Sequence, residues 1–114
     1  MEGTSTRQLK VAGQIKRDIA EIIRSKGMAA YDGEMVSVSG VQVSPDLSLA
    51  RIYISIFPSD KTEKVMEIIN ATNRSLRGEL GRRVAGQFRI VPELSFYVDD
   101  SLDYVEHIDS LLKQ

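Results

Sequence analysis

The chain has no cysteine and no tryptophan, one histidine and only three prolines among its 114 residues. Without cysteine there is no disulfide framework, no thiolate nucleophile and no thiolate metal site, and a single histidine cannot build a histidine-rich one. Long apolar runs are also missing. Nothing approaches the roughly 20 residues that a bilayer span needs, and the opening MEGTSTRQLK lacks the apolar stretch of a signal peptide. The expectation is a cytoplasmic protein with no membrane segment, no metal and no cofactor. The hydrophobic fraction of 42% and charged fraction of 27% lie near the globular average, which excludes a wholly disordered chain. A second core would leave each half too small to fold unaided. Residues 1–114 are therefore read as one domain, with 1–4 expected to be disordered.

The net charge of −1 argues against nucleic acid only until it is divided along the chain. Residues 7–26 carry six basic groups against Asp18 and Glu21, and residues 74–89 carry five arginines against Glu79. Beyond residue 92 the balance reverses: Glu93, Asp99, Asp100, Asp103, Glu106 and Asp109 face Lys113 alone. Partner choice follows such local fields rather than their sum.

Leu9, Ala12, Ile15, Ile19, Ile22 and Ile23 recur at spacings of three and four between the caps Thr4 or Ser5 and the breaker Gly27, which predicts a first helix. On its wheel the isoleucines share one side, and Lys10, Arg17 and Arg24 form a stripe opposite, interrupted by Glu21. Val36 and Val38 then alternate with serines, and the apolar phase slips by one across Gly40 to Val41 and Val43, predicting a strand with a bulge. Ser44-Pro45-Asp46 reads as a turn into a second strand, Ile52, Ile54 and Ile56, which Pro58 ends. Ser59 or Asp60 is the expected cap of a helical run that continues through Leu76, Leu80 and Val84. Thr72, Asn73 and Ser75 are weak helix formers grouped at its middle, so a kink is expected there. Leu94, Phe96 and Val98 alternate behind Pro92 as a third strand, and Leu102, Val105, Ile108 and Leu112 mark a short last helix capped by Asp100 or Ser101. The fold class is α+β: a three-stranded mixed sheet with helices on one face, in the order α-β-β-α-kink-α-β plus the C-terminal helix. The stretch between the second and third strands allows a helical crossover, and the third strand is expected parallel to the first.

This order resembles a type II KH domain. Local strings narrow it to the bacterial ribosome-binding factor A family: Arg7-x-x-Lys10-Val11-Ala12-x-x-Ile15, Val43-Ser44-Pro45-Asp46-Leu47 leading to Ala50-Arg51-Ile52-Tyr53-Ile54-Ser55, Leu80-Gly81-Arg82-Arg83-Val84, and Arg89-Ile90-Val91-Pro92-Glu93-Leu94-Ser95-Phe96. The resemblance covers nearly the whole chain. It implies a non-catalytic assembly factor that binds the 30S small ribosomal subunit and its 16S rRNA, and that assists late maturation, including 5′-end processing, chiefly in the cold. The family's kink reads Ala-x-Gly where this chain has Ala71-Thr72-Asn73. Because asparagine tolerates a left-handed backbone, Asn73 is the residue expected to supply the bend.

RNA binding needs several cations converging on phosphates, and arginine adds a planar fork suited to bidentate contact. The candidates are Arg7, Lys10, Arg17, Arg74, Arg77, Arg82, Arg83 and Arg89, with Ala71, Thr72 and Asn73 at the kink. Against them stands the ordinary reading of each cation as a solvated helix face or a partner of the helix dipole. Gly78-Glu79-Leu80-Gly81 matches Gly-x-x-Gly literally, but it lies inside a helical run and Glu79 would meet the phosphate, so it is not read as a phosphate clamp. Tyr53 and Tyr97 are assigned to packing rather than base stacking. His107 has no nucleophile to serve, and Asp99 and Asp100 are read as a helix cap rather than a metal pair. No catalytic residue is identified. The leading reading is a monomeric rRNA-binding module. The alternative is a protein-interaction module on the same scaffold, in which the final helix would matter more than the arginines.

Overall fold

A computed structural model describes residues 5–57 and 59–99. The expectations for residues 1–4, for Pro58 and for the C-terminal helix with His107 lie outside the described residues.

Helix α1 (Thr6–Lys26) starts where the sequence offers a cap. Ser5 Oγ accepts from the Gln8 N–H at 3.1 Å and Gln8 Oε1 accepts from the Ser5 N–H at 2.8 Å, a reciprocal capping box. Gln8 is buried, and its Nε2 also donates to the Val43 carbonyl at 2.9 Å, which ties the start of the helix to the sheet. The helix ends at Gly27, whose φ of +85° suits a residue without Cβ.

Strands β1 (Met35–Val43) and β2 (Leu49–Phe57) pair antiparallel, and the register slips between Val38 and Gly40, so the bulge lies where the apolar phase changes. Strand β3 (Glu93–Val98) pairs with β2 in parallel, Leu49 opposite Glu93 and Ile54 opposite Val98. The sheet order is β1-β2-β3. Strand β3 is therefore parallel to β2 and antiparallel to β1, which corrects the expected parallel orientation to the first strand. The crossover leaves the end of β2 and returns the chain to its start, and the free neighbour there is the side of β2 not taken by β1. Apolar residues mark the centre: Ala50, Ile52 and Ile54 of β2 are completely buried.

The crossover is helix α2 (Thr62–Ala71) followed by helix α3 (Asn73–Val84). A 3₁₀ turn, Ser59–Lys61, leads into α2, and the N-cap position falls on Lys61, which makes no side-chain capping bond, rather than on the expected Ser59 or Asp60. The tighter turn supplies the local hydrogen bonding a cap would have given. Between the helices stands Thr72, with φ −102° and ψ 11°. Its hydroxyl donates back to the carbonyls of Ile68 at 2.9 Å and Ile69 at 3.2 Å, a back-bond that bends helices. Asn73 is not left-handed: the only such non-glycine residues described are Asp32 and Leu47. Instead its amide donates to the Leu94 carbonyl at 3.0 Å and fastens the start of α3 to β3.

All three helices cover one face of the sheet. Ile15, Ile19 and Ile22 of α1, Val65 and Ile69 of α2, and Leu76, Leu80 and Val84 of α3 close over Ile52, Ile54, Leu94 and Phe96 in one core. Each fully buried aliphatic side chain contributes about 1.5–3 kcal/mol.

Candidate nucleic-acid interface

With the isoleucines of α1 turned to the sheet, its other side is left to Lys10, Arg17 and Arg24, all exposed. Gly13 and Ala20 stand between these cations, and with Lys16, Arg17, Glu21 and Arg24 they line a shallow groove of about 350 Å³. Arg17 donates to the neutral Oε1 of Gln14 at 2.8 Å and keeps its charge. The stripe covers about 20 Å of helix, the reach of several phosphates.

Acids that would weaken this face are engaged from α3. Arg83 Nη1 lies 2.8 Å from Glu21 Oε1 and 3.8 Å from Asp18 Oδ1. Glu79, inside the literal Gly-x-x-Gly string, pairs with Lys26 at the end of α1. These pairs place α1 and α3 antiparallel, with the residues after α3 beside the first turns of α1. A Cβ on Gly81 would touch Val91 at an ordinary 3.5 Å, whereas Gly78 faces open space.

Arg77 takes a different place from its neighbours. Half-buried, it donates from Nε to the Pro92 carbonyl at 3.0 Å and from Nη2 to the Val91 carbonyl at 2.7 Å. Its fork fixes the approach to β3, a geometry that a lysine point charge cannot copy. Arg74 and Arg82 on the same helix are exposed, with neither a hydrogen bond nor an ion pair among the described residues.

Arg7, Lys10 and Arg89, far apart in sequence, meet at a second cleft of about 330 Å³, together with Asp46, Leu47, Phe88 and Ile90. None of the three cations has a hydrogen bond or ion pair among the described residues. Asp46 Oδ1 accepts from the hydroxyls of Ser44 and Ser48, both at 2.8 Å. These bonds, that from Ser44 first, hold its carboxyl below the ordinary value.

The structure thus unites Lys10 and Arg17 on one face, brings Arg7 and Arg89 to Lys10, and separates Arg77 and Arg83 as internally bonded. Arg74 stands at the kink and lines neither cleft. Two positions that shape this region escaped the sequence reading. Gln8 was readable as the fourth residue of a Ser-x-x-Gln box; Leu47 carries no local signal, because its position in the cleft depends on the fold. On the outer face of the sheet Tyr53 and Tyr97 stack on each other, ring centroids 5.7 Å apart. Among the described residues no group of acids and histidine could hold a metal ion, and no helix is long and apolar enough to cross a membrane.

Known proteins share this arrangement. The family profile described as ribosome-binding factor A matches residues 7–112. A ribosome-binding factor A from Christiangramia forsetii is 42% identical over 114 residues, covering 99% of this chain and 86% of its own. One from Chlorobaculum tepidum is 34% identical, covering 96% and 90%. The crystal structure of ribosome-binding factor A from Thermus thermophilus superposes with a TM-score of 0.68 at 26% identity, covering 80% of this chain and 94% of that one. A homology model of the Thermus thermophilus factor, fitted into a cryo-electron microscopy map of its 30S complex, gives 0.63 at 26% identity, covering 78% and 91%. With sequence match and fold in agreement along nearly the whole length, the chain belongs to the ribosome-binding factor A family.

Proposed function

We propose that this chain is a single-domain, monomeric assembly factor of the cytoplasm that docks the basic face of α1 on 16S rRNA of the small ribosomal subunit. It acts by differential affinity: binding one rRNA conformation more tightly shifts the population toward it, with no bond made or broken and no cofactor needed. Late maturation, including 5′-end processing, is the stage at which such a shift is useful, and the need grows in the cold, where rRNA rearrangement is slow. The observation that carries this reading is the state of the charges. Among the described residues Lys10, Arg17 and Arg24 face solvent without an acidic partner, while Arg83 occupies Glu21 and Asp18, the acids beside them. Arg7, Arg74, Arg82 and Arg89 are further phosphate contacts in this reading, and Arg77 and Arg83 position the elements that carry them.

Co-sedimentation with mature and precursor-containing small subunits across a salt series tests it. Binding is expected to fall steeply with salt, and Lys10→Gln/Arg17→Gln/Arg24→Gln is expected to weaken it by about two orders of magnitude near 0.1 M salt and to flatten the slope by about two to three units. An unchanged slope would overturn the proposal and favour a protein-interaction module.

A further inference from the structure

The cleft between the first turns of α1, the β1–β2 turn and the segment after α3 is more than a continuation of the phosphate-binding face. Its lining includes Val11, Leu47, Phe88, Ile90 and Pro92, an apolar set with one aromatic ring. Two of these residues are costly where they stand. Ile90 is 69% exposed, a large aliphatic side chain left in water. Leu47 holds φ +64° at a turn position where glycine or asparagine is the ordinary choice, and its N–H donates to the Ser44 carbonyl at 2.9 Å to close that turn. Strained residues of this kind collect at ligand-holding sites. Around the apolar lining stand three cations, Arg7, Lys10 and Arg89, against one acid, Asp46. The cleft of about 330 Å³ is at the small end of ligand sites, with room for one planar ring system.

We infer that this cleft receives an unstacked base of single-stranded RNA, with the flanking phosphates on Arg7, Lys10 and Arg89. The inference rests on the rRNA reading above and adds the state of the RNA that is recognised. Duplex RNA presents phosphates and 2′-hydroxyls but keeps its bases stacked inside, so it cannot fill an apolar recess. An unpaired strand can. Lys10 belongs both to the stripe of α1 and to the cleft, so a strand whose backbone follows Arg24, Arg17 and Lys10 arrives with a nucleotide at the recess. The larger cleft on the other side of the first turns of α1, about 470 Å³, has Arg51 as its only cation and offers no such continuity.

The test compares binding of a short unstructured oligoribonucleotide with that of a duplex of the same length, for wild type, Ile90→Ser and Leu47→Gly. Ile90 is exposed, so Ile90→Ser is expected to keep the wild-type melting temperature, while Leu47→Gly relieves a left-handed residue but gives up partial packing against the core and is compared at a temperature where it is fully folded. The expected result is tighter binding of the single strand by wild type, a loss of about fivefold or more in each variant, and unchanged duplex binding. Variants that bind the single strand as wild type does would overturn the inference, as would an oligo-glutamate peptide that binds in its place and is lost in the same variants. Co-sedimentation separates this from the function itself. If the variants bind the oligonucleotide like wild type while wild type still sediments with small subunits in a salt-dependent way, the cleft assignment falls and the rRNA reading stands. A wild-type chain that sediments with no subunit overturns both.

Discussion

Two arginines three residues apart on α3 show how differently one residue type is used. Arg74 projects into solvent with no protein partner described, while Arg77 gives its guanidinium to two backbone carbonyls. The same division separates the helices. The cations of the outward stripe of α1 have no acidic partner among the described residues, whereas Arg83 and Lys26 join α1 to α3. Charge along a sequence reports how much positive field is present. The fold decides how much of it remains after the protein's own acids and carbonyls have been satisfied.

Removing each arginine in turn separates the two uses. Arg77→Ala leaves two carbonyls of the segment before β3 without their charged donor and is expected to cost about 2 kcal/mol, a fall of roughly 8 °C in melting temperature. Arg77→Lys is expected to recover less than half of this, since an ammonium cannot span both acceptors. The folded Arg77→Ala protein is expected to keep the wild-type salt slope in co-sedimentation. Arg74→Ala should do the opposite, leaving the melting temperature in place and reducing the slope by about 0.7–0.9 unit. If Arg77→Ala melts like wild type, the distinction between held and free arginines on α3 is lost.

Arg83 lies between the two classes, and its effect is smaller. Its pair with Glu21 is partly solvated, so Arg83→Ala is expected to cost under about 1 kcal/mol of stability. The larger consequence is for binding, because Asp18 and Glu21 are then uncovered beside Arg17. Affinity for small subunits should fall about fivefold, and adding Glu21→Gln to Arg83→Ala should restore most of it. Arg83 in direct contact with phosphate would instead leave the double variant as weak as the single one.

Much of the fold was readable because its signals are local. The isoleucine spacing of α1, the phase slip at Gly40 and the alternation of β2 each depend on neighbours in sequence, and each element stands where the pattern put it. Strand pairing is not local: the residues of β3 look the same whether they lie beside β1 or β2, and only the crossover packing selects β2. The bend shows a subtler limit. Its place was marked by weak helix formers, but its cause is the Thr72 hydroxyl returning to the Ile68 and Ile69 carbonyls, not a left-handed Asn73. The candidate interface was legible as a set of cations and illegible as a surface. Nothing in the spacing of Arg7 and Arg89 says that they share a cleft, and nothing in Arg77 marks it as bonded to Val91 and Pro92.

The smallest effect tests a held group of the opposite sign. Asp46 stands among free cations, yet its carboxylate is committed to the turn that carries Leu47, accepting from Ser44 and Ser48. Those bonds favour the charged form and lower its folded value beneath the ordinary 3.8. Since the folded value is the lower one, the contribution to stability is present above about pH 4 and disappears as pH falls through the folded value. Asp46→Asn should therefore melt slightly below wild type at neutral pH, and the gap should close on acidification below pH 4. A gap of constant size would mean that the amide's lost geometry, not the charge, sets the difference. A widening gap would give Asp46 the opposite linkage and remove it from the held groups.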